Sequence, residues 1–269
     1  MSDLRVLTYL PSPRLWKATI AARLCGIDVE VRGDRDVALK DWLWDFDARP
    51  LEPAEREPSA GFAREARKGF SGGVLFKTDA FLKAHPFGTV PAAFSPDGRI
   101  GVFESNSIMR LVARLGEANF PLYGRDPFEA SRIDGFLDAS LGFANETQRY
   151  LLSLRDDTVT TDIHDRTADA FAGYMSGIDR ALATGGLNIV SGDLSLADIC
   201  FVCELALLSG ERRSHAALAR IGRPSIFATK IDAVYPYAFV HFNRLLDHPA
   251  FAPDLGPYVI TAGLRPHAP

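Results

Sequence analysis

Residues 85–108 read HPFGTVPAAFSPDGRIGVFESNSI, and this stretch decides the fold of the first part of the chain. Val90–Phe94 and Ile100–Phe103 are short apolar runs separated by a Pro-Asp-Gly turn signal, so we expect a hairpin of two strands. Pro91 has no N–H to donate to a sheet, and a proline at the start of a strand marks a special backbone position, often a cis peptide bond. A helix is predicted from Ser105 or Asn106 onwards, until Gly116 ends it.

The N-terminal part of the chain has the pattern of a strand, a helix and a second strand. Leu4–Leu10 is aliphatic and aromatic, as a strand buried on both faces would be. Ser12 is a good N-cap, and helix formers continue from Pro13 until Gly26, which suits a left-handed helix end. Ile27–Arg32 alternates as a second strand, which gives one βαβ unit with parallel strands. We therefore predict an α/β domain over residues 1–117.

A long connection separates the second predicted strand from the hairpin. This insertion covers about residues 33–80, and its middle is rich in Pro, Glu, Arg and Gly. Such length is unusual for a connection inside a compact domain. One interpretation is a solvated loop anchored by the aromatic residues Trp42, Trp44 and Phe46. The other is a lid or a partner surface.

The rest of the chain, after Pro121 and Gly124, has the periodicity of helices only. The predicted helices are roughly Asp126–Leu154, Asp162–Ala183, Ser195–Ser209 and Asp232–Leu246. We therefore predict an all-helical domain over residues 124–269.

Composition excludes several classes of function. The 269 residues carry 30 Lys and Arg against 34 Asp and Glu, so the net charge is -4 and no basic stripe is available for a nucleic-acid backbone. The longest nearly apolar run, Ile199–Leu208, is interrupted by Glu204 and is about half as long as a membrane span. The N-terminal residues resemble no targeting peptide. We expect a soluble protein with neither a nucleic-acid nor a membrane partner.

The cysteines and histidines indicate a reducing compartment and no metal site. Three cysteines cannot form a disulfide framework in a chain of this length, so we expect a cytoplasmic protein. Cys200 and Cys203 lie within a predicted apolar helix that Ser195 and Asp198 open with a capping box, so both are expected in the core. The six histidines lack metal-binding spacing and are expected at the surface or as caps. No nucleotide-binding motif is present.

The 85–108 stretch also has the features of a ligand site. Because Pro91 interrupts the sheet, the backbone of Val90 is expected to be free to pair with an extended peptide-like ligand. Ser105 and the amides that begin the next helix would suit a carboxylate, and Glu104 would suit an ammonium group. A zwitterionic amino-acid end could therefore bind there.

These segments resemble the glutathione transferase superfamily. The resemblance rests on Ser12 near the first helix, on the 85–108 stretch and on DLSLADI at 193–199. The segments LTYLPSPRLWKATIAA, GTVPAAF, VFESNSI and LSLADICFVC are similar to the transferase-like domain of the gamma subunit of elongation factor one. Bacterial transferases that include lignin β-aryl-ether-cleaving enzymes are similar too.

The resemblance implies a thioredoxin-like α/β domain followed by an all-helical domain. It also implies glutathione as cosubstrate, a small hydrophobic or aromatic electrophile bound between the domains, and a dimer, either a homodimer or a heterodimer with a related subunit. Carried over, Val90 before cis-Pro91 would pair with the cysteinyl backbone of glutathione. Glu104 and Ser105 would hold its γ-glutamyl end. Thr89, where many relatives have lysine, could contact the glycyl end.

The glutathione thiol needs activation, because a free thiol with a pKa of ~8.5 is only a few per cent thiolate at neutral pH. Ser12 is the candidate, since it offers a hydroxyl at a helix N-terminus, although it could be an N-cap only. Tyr9 is an alternative hydroxyl unless it points into the core. In the long helix after the linker, aromatic residues are expected to line the electrophile pocket, and the polar Asn145 among them is a candidate contact to substrate or thiol.

Two classes of function follow. The first is a glutathione transferase whose thiolate attacks a hydrophobic electrophile, with cleavage of the β-aryl ethers of lignin-derived aromatics as one version. The second is a non-catalytic assembly module like the transferase-like domain of the elongation factor.

Overall fold

The computed structural model describes residues 2–66, 70, 73–190, 192–228 and 230–264. The chain separates into two compact units, Met1–Gly116 and Glu117–Pro269. The first is α/β and the second is helical, which confirms the predicted fold class.

The described elements of the first unit are, in chain order, β1 (Leu4–Tyr9), α1 (Pro13–Cys25), β2 (Val29–Asp34), β3 (Trp42–Trp44), β4 (Arg49–Pro50), β5 (Ala63–Glu65), β6 (Val74–Lys77), α2 (Asp79–Ala84), β7 (Ala92–Phe94), β8 (Gly101–Phe103) and α3 (Ser105–Leu115). Short 3₁₀ helices lie at Ala38–Asp41, Pro53–Glu55 and Pro58–Phe62.

The main sheet of the first unit has the strand order β2-β1-β7-β8. β1 and β2 are parallel, as a βαβ unit requires, whereas β7 is antiparallel to both β1 and β8. The predicted hairpin turns at Gly98, which has a φ of 73°. The four predicted strands correspond to β1, β2, β7 and β8 and are confirmed, with bounds shifted by up to two residues.

Helix α1 begins and ends at the predicted residues. Ser12 is its N-cap, and the Ser12 Oγ accepts a hydrogen bond from the Leu15 N–H. Pro13 occupies the first helical position, where its missing N–H costs nothing. Gly26 ends the helix in the left-handed conformation, at a φ of 68°.

The solvated-loop interpretation of the insertion is wrong. Between β2 and α2 the chain forms a second sheet in the order β4-β3-β6-β5. Its strands have only two to four residues each, which is too short for alternation to reveal them in the sequence. Residues 67–69 and 71–72 of the insertion lie outside the described part.

Aromatic side chains attach this second sheet to the main one. Trp44 is only 1% exposed, and its Nε1 donates to the Leu39 carbonyl oxygen at 2.9 Å. Its ring meets Phe70 and Phe81 edge-on, with centroids 5.4 and 6.0 Å apart. These side chains share one core with Leu7, Ala92 and Phe94 of the main sheet, and Trp42 and Phe46 pack against it. The insertion is therefore a layer of the first unit, anchored by the aromatic residues that the sequence singled out.

All the regular elements among the described residues of the second unit are helices. They are α4 (Pro127–Arg155), α5 (Thr161–Ala183), α6 (Leu196–Leu208), α7 (His215–Arg220), α8 (Ile231–Val234), α9 (Pro236–Leu246) and α10 (Ala252–Thr261), with a 3₁₀ helix at Ser209–Arg213.

One predicted helix of the second unit is divided. The sequence predicted a continuous helix over Asp232–Leu246, but α8 ends at Val234 and α9 begins at Pro236. A proline has no N–H for the preceding turn and disfavours helical backbone at the residue before it, so the break falls at Tyr235. Helices α7 and α10 were missed.

The capping box that opens α6 is confirmed. The Ser195 side chain and the Asp198 backbone form one half, and the Asp198 carboxylate accepts from the Ser195 N–H at 2.9 Å. Asp198 is fully buried and also accepts from the Ile189 N–H and from the His241 ring. Cys200 and Cys203 are buried on the same helix, so they are core residues, as predicted.

Candidate functional site

Val90 and Pro91 precede β7, and the peptide bond between them is cis, as predicted. Pro91 is buried and Val90 is half-buried. In the part of the chain that the structure describes, no group hydrogen-bonds to the N–H or the C=O of Val90. Both groups are therefore free to pair with an extended backbone, in the manner of an added strand.

Strand pairing brings the predicted site residues to one edge of the main sheet. Ala92 of β7 lies opposite Phe103 of β8, so Pro91 and Glu104, which flank this pair, come to the same edge. Leu7 of β1 also lies opposite Ala92, and β1 runs antiparallel to β7. The segment after β1, which leads into α1, therefore reaches this edge too.

Glu104 and Ser105 form the turn from β8 into α3. Glu104 is exposed and has a φ of 67°, a backbone conformation that side chains rarely adopt. Non-glycine residues held in such conformations cluster at ligand sites. Ser105 is half-buried as the first residue of α3, where the helix dipole and the free amides of the first turn favour a carboxylate. The exposed Glu104 carboxylate can receive an ammonium group beside it.

A buried lysine lies behind this helix start. Lys17 of α1 is 1% exposed, and its Nζ donates to the Asn106 Oδ1 at 2.8 Å and to the Ser105 Oγ at 3.4 Å. Because the Ser105 oxygen accepts from an ammonium, its own hydrogen is left to donate to a ligand. The positive charge further favours an anion at this position. The sequence reasoning missed Lys17, since nothing in the helical pattern of α1 distinguishes a buried lysine from a solvated one.

Two more side chains that the sequence reasoning missed hold the loop before Val90. His85 is fully buried at the C-terminal end of α2, so it is a cap and not a surface residue. The Thr89 N–H donates to the His85 Nε2 at 3.2 Å, and the Thr89 Oγ1 lies 3.3 Å from the same atom. Lys77, from β6 of the insertion, donates to the Gly88 carbonyl oxygen at 2.7 Å. The exposed Thr89 thus has its hydroxyl beside a histidine ring.

Ser12 is fully buried, and its Oγ caps α1 by accepting from the Leu15 N–H at 3.4 Å. Within the described residues, no group accepts its hydroxyl hydrogen. The N-cap role is therefore confirmed, and the contact with a thiol stays a prediction. Tyr9 is half-buried and packs against the core that joins the two sheets.

Asn145 is exposed on α4 of the second unit, and its contact with substrate or thiol stays a prediction. Phe143 and Tyr150 of the same stretch are buried in the core of that unit. An apolar cavity of about 310 Å³ lies between α4 and α5, lined by Phe136, Phe143, Tyr174 and Ile178 together with glycine and alanine residues. Asn145 does not line it.

Among the described residues, no three or more His, Cys, Asp or Glu side chains are grouped to hold a metal ion. No helix in the described ranges is long and apolar enough to cross a membrane.

Comparison with known proteins identifies the first unit. Residues 11–115 match the family described as the glutathione S-transferase N-terminal domain. The first unit is therefore similar to glutathione S-transferase N-terminal domains along most of its length. The match begins next to Ser12 and ends at the last residue of α3, so it includes every residue at the sheet edge described above.

Relatives and solved structures extend the similarity beyond the first unit. The chain is 31% identical over 205 residues to a probable elongation factor 1-gamma 1 of Arabidopsis thaliana, which covers 74% of this chain and 44% of the relative. It is 32% identical over 132 residues to a glutathione S-transferase-like protein of Gibberella fujikuroi, covering 47% and 60%. The structure of glutathione S-transferase-I bound with lactoylglutathione matches with a TM-score of 0.61 at 17% identity, covering 95% of this chain and 99% of the other.

These comparisons show that the chain as a whole has the glutathione transferase fold, with a thioredoxin-like unit followed by a helical unit. The predicted similarity to the elongation factor gamma subunit is confirmed as well. The matches to the elongation factor relatives cover about three quarters of this chain but less than half of the length of each relative.

Proposed function

We propose that the first unit binds glutathione and that the protein uses the glutathione thiolate as a nucleophile on a hydrophobic electrophile. The observation that carries this proposal is the meeting of two features at one sheet edge. The unpaired backbone of Val90 suits the cysteinyl backbone of glutathione, and Glu104 with Ser105 suits its zwitterionic γ-glutamyl end. The structure of glutathione S-transferase-I bound with lactoylglutathione, which has the same fold, supports the choice of ligand.

Each end of the tripeptide has a proposed set of contacts. Ser105, backed by Lys17, would bind the γ-glutamyl carboxylate, while Glu104 would bind the ammonium group. Val90 would pair with the cysteinyl residue and so orient its sulfur. Thr89 is proposed beside the glycyl end, where its amide is already engaged by His85.

In the proposed reaction, the thiol first loses its proton to solvent. Ser12 is proposed to donate its hydroxyl hydrogen to the thiolate, and the positive end of α1 adds to this stabilisation. The sulfur lone pair then forms a bond to the electrophilic carbon, and the bond from that carbon to its leaving group breaks with both electrons. For a β-aryl ether of a lignin-derived aromatic, the products would be a thioether and a phenolate.

Further parts of the proposal concern the second unit and the setting. Asn145 is proposed as a contact to the electrophile or the thiol, and the helical unit over residues 124–269 as the substrate and dimerisation domain. We propose a homodimer, or a heterodimer with a related subunit. Three buried free cysteines support a reducing compartment such as the cytoplasm.

The test combines glutathione titration with an electrophile panel on the full chain. Calorimetry should give saturable glutathione binding, and Ser105→Ala should weaken it about tenfold or more, because a hydrogen bond to a charged group contributes about 1.5–3 kcal/mol. Ser107→Ala on the same helix is the matched control and should bind as the unchanged protein does. Mass spectrometry should then detect thioether products from aryl halides, epoxides or β-aryl ethers. Absence of glutathione binding would refute the proposal.

A second candidate is a non-catalytic assembly module. The observation that favours it is the similarity to elongation factor 1-gamma proteins, which covers about three quarters of this chain. This alternative predicts stable co-purification with a different subunit and no thioether product from any electrophile in the panel.

A further inference from the structure

We propose that His85 is a positioning residue for the glutathione-binding loop and that it holds this loop only as a neutral imidazole. The inference rests on the proposed glutathione site, because the loop matters through its neighbour Val90. It adds a pH limit to that function, set by a side chain that does not itself touch the ligand.

The hydrogen bond between His85 and Thr89 defines the required protonation state. The Thr89 N–H points at the His85 Nε2 from 3.2 Å, so Nε2 must be an acceptor and cannot carry a hydrogen. The neutral ring therefore carries its hydrogen on Nδ1, which is buried and has no hydrogen-bond partner among the described residues. Thr89 directly precedes Val90, so the histidine fixes the amide one residue before the proposed ligand contact.

The same ring also contacts the γ-glutamyl side of the site. His85 stacks on Phe103 with centroids 4.8 Å apart and planes 2° from parallel. Phe103 directly precedes Glu104, so one buried ring is in contact with both segments that are proposed to bind glutathione. A tilted contact with Phe81, at 5.7 Å, holds the ring from the side of α2.

The surroundings of His85 disfavour a positive charge. Burial is the largest cause of the lowered pKa of His85; the backbone hydrogen bond with Thr89 acts in the opposite direction, and the Lys77 ammonium adds to the lowering. The remaining groups that face the ring are Thr89, Phe81 and Phe103, none of which is charged. No acidic side chain in the described ranges forms an ion pair with it.

Protonation would remove the acceptor for the Thr89 amide. The imidazolium would gain a hydrogen on Nε2, directly against the Thr89 N–H, while its Nδ1–H stays buried without a partner, and it would add a cation near Lys77. The loop is therefore held above the pKa of His85 and released below it. Since that pKa lies below its ordinary value, the loop is held at neutral pH and released only in acid.

The binding test is a pH series of glutathione titrations by calorimetry. Between about pH 5 and 7 the charges of glutathione stay nearly constant, because its carboxyl groups titrate near 3–4 and its thiol near 8.5. If only neutral His85 supports binding, the Kd should rise about tenfold for each further pH unit below its pKa. His85→Gln places a non-titrating oxygen acceptor on a chain of similar reach, so it should bind well at pH 7.5 and lose this pH dependence.

Two further variants complete the series. His85→Phe keeps a stacking ring but has no acceptor, so it should bind glutathione weakly at every pH. His248→Asn is the matched control in the second unit, because His248 also accepts a backbone N–H, from Ala250 at 3.1 Å, and burial also lowers its pKa. It should keep the pH dependence of the unchanged protein. Circular dichroism verifies that each variant is folded.

A measurement without glutathione separates this inference from the proposed function. In the free protein, the NMR signal of the Thr89 amide should shift with pH together with the His85 ring signals, and it should stay constant in His85→Gln. If that holds but glutathione binds at no pH, the proposed function fails and the loop contact stands. The inference is overturned if the NMR signal of the Thr89 amide does not shift when His85 titrates. It is also overturned if His85→Gln keeps the pH dependence of the Kd.

Discussion

Replacement of the buried Lys17 by methionine tests the proposed anion site in the first turn of α3. The Lys17 Nζ lies 3.4 Å from the Ser105 Oγ and 2.8 Å from the Asn106 Oδ1, and the side chain is 1% exposed. A carboxylate that accepts from the Ser105 hydroxyl adds about one hydrogen-bond length, ~3 Å, and so lies within about 6 Å of the ammonium. At an effective dielectric constant of about 20, two unit charges at that distance attract by roughly 3 kcal/mol.

That attraction sets the expected loss of affinity. An energy of roughly 3 kcal/mol corresponds to about a hundredfold in Kd, and desolvation of the incoming carboxylate offsets part of it. Lys17→Met should therefore weaken glutathione binding about 10- to 100-fold in calorimetry. Lys83→Met, at an exposed position of α2, is the matched control and should have no effect.

A ligand variant locates the interaction at one carboxylate. A glutathione analogue that lacks the γ-glutamyl α-carboxylate should bind equally to the unchanged protein and to Lys17→Met. Equal affinity of both proteins for intact glutathione would refute the reasoning, because the ammonium would then contribute nothing at the anion site.

Three further perturbations test other parts of the first unit. Ser12→Ala should lower the free energy of unfolding by about 1 kcal/mol through loss of the N-cap. It should also raise the pKa of the bound glutathione thiol towards ~8.5, measured by ultraviolet titration. An unchanged thiol pKa would remove Ser12 from the mechanism. Trp44→Ala should lower the free energy of unfolding by about 3–5 kcal/mol in chemical denaturation. The reason is that the Trp44 ring, only 1% exposed, joins the insertion to the main sheet. An unchanged denaturation midpoint would contradict a shared core. Glu104→Gly should raise the free energy of unfolding by about 1 kcal/mol, because glycine adopts the φ of 67° without backbone strain. It should nevertheless weaken glutathione binding through loss of the carboxylate. Tighter binding would show that Glu104 receives no ammonium group.

The sequence predicted the elements whose local signals are strong. Helix α1 begins after Ser12 at Pro13 and ends at Gly26, as predicted, because each of these residues has a local preference that holds in any tertiary setting. The Pro-Asp-Gly turn and Pro91 located the hairpin and the cis bond for the same reason. Together with the resemblance, these signals led to the sheet edge where Val90, Glu104 and Ser105 are proposed to bind.

The sequence did not reveal features that depend on distant partners. The strands of the insertion are held by aromatic packing between Trp44 and Phe81, which are far apart in the chain. Lys17 and His85 are buried by tertiary contacts, with Asn106 and Phe103 respectively, that no local pattern encodes. The missed residues are therefore those that lie behind the proposed ligand contacts, where the neighbours come from other elements.

A crystal structure of the protein grown with glutathione tests the central claim most directly. We expect the cysteinyl N–H and C=O of glutathione to pair with the C=O and N–H of Val90, the γ-glutamyl carboxylate to accept from Ser105, and its ammonium group to lie at Glu104. Glutathione bound elsewhere, or a sheet edge that stays empty at saturating glutathione, would contradict the claim.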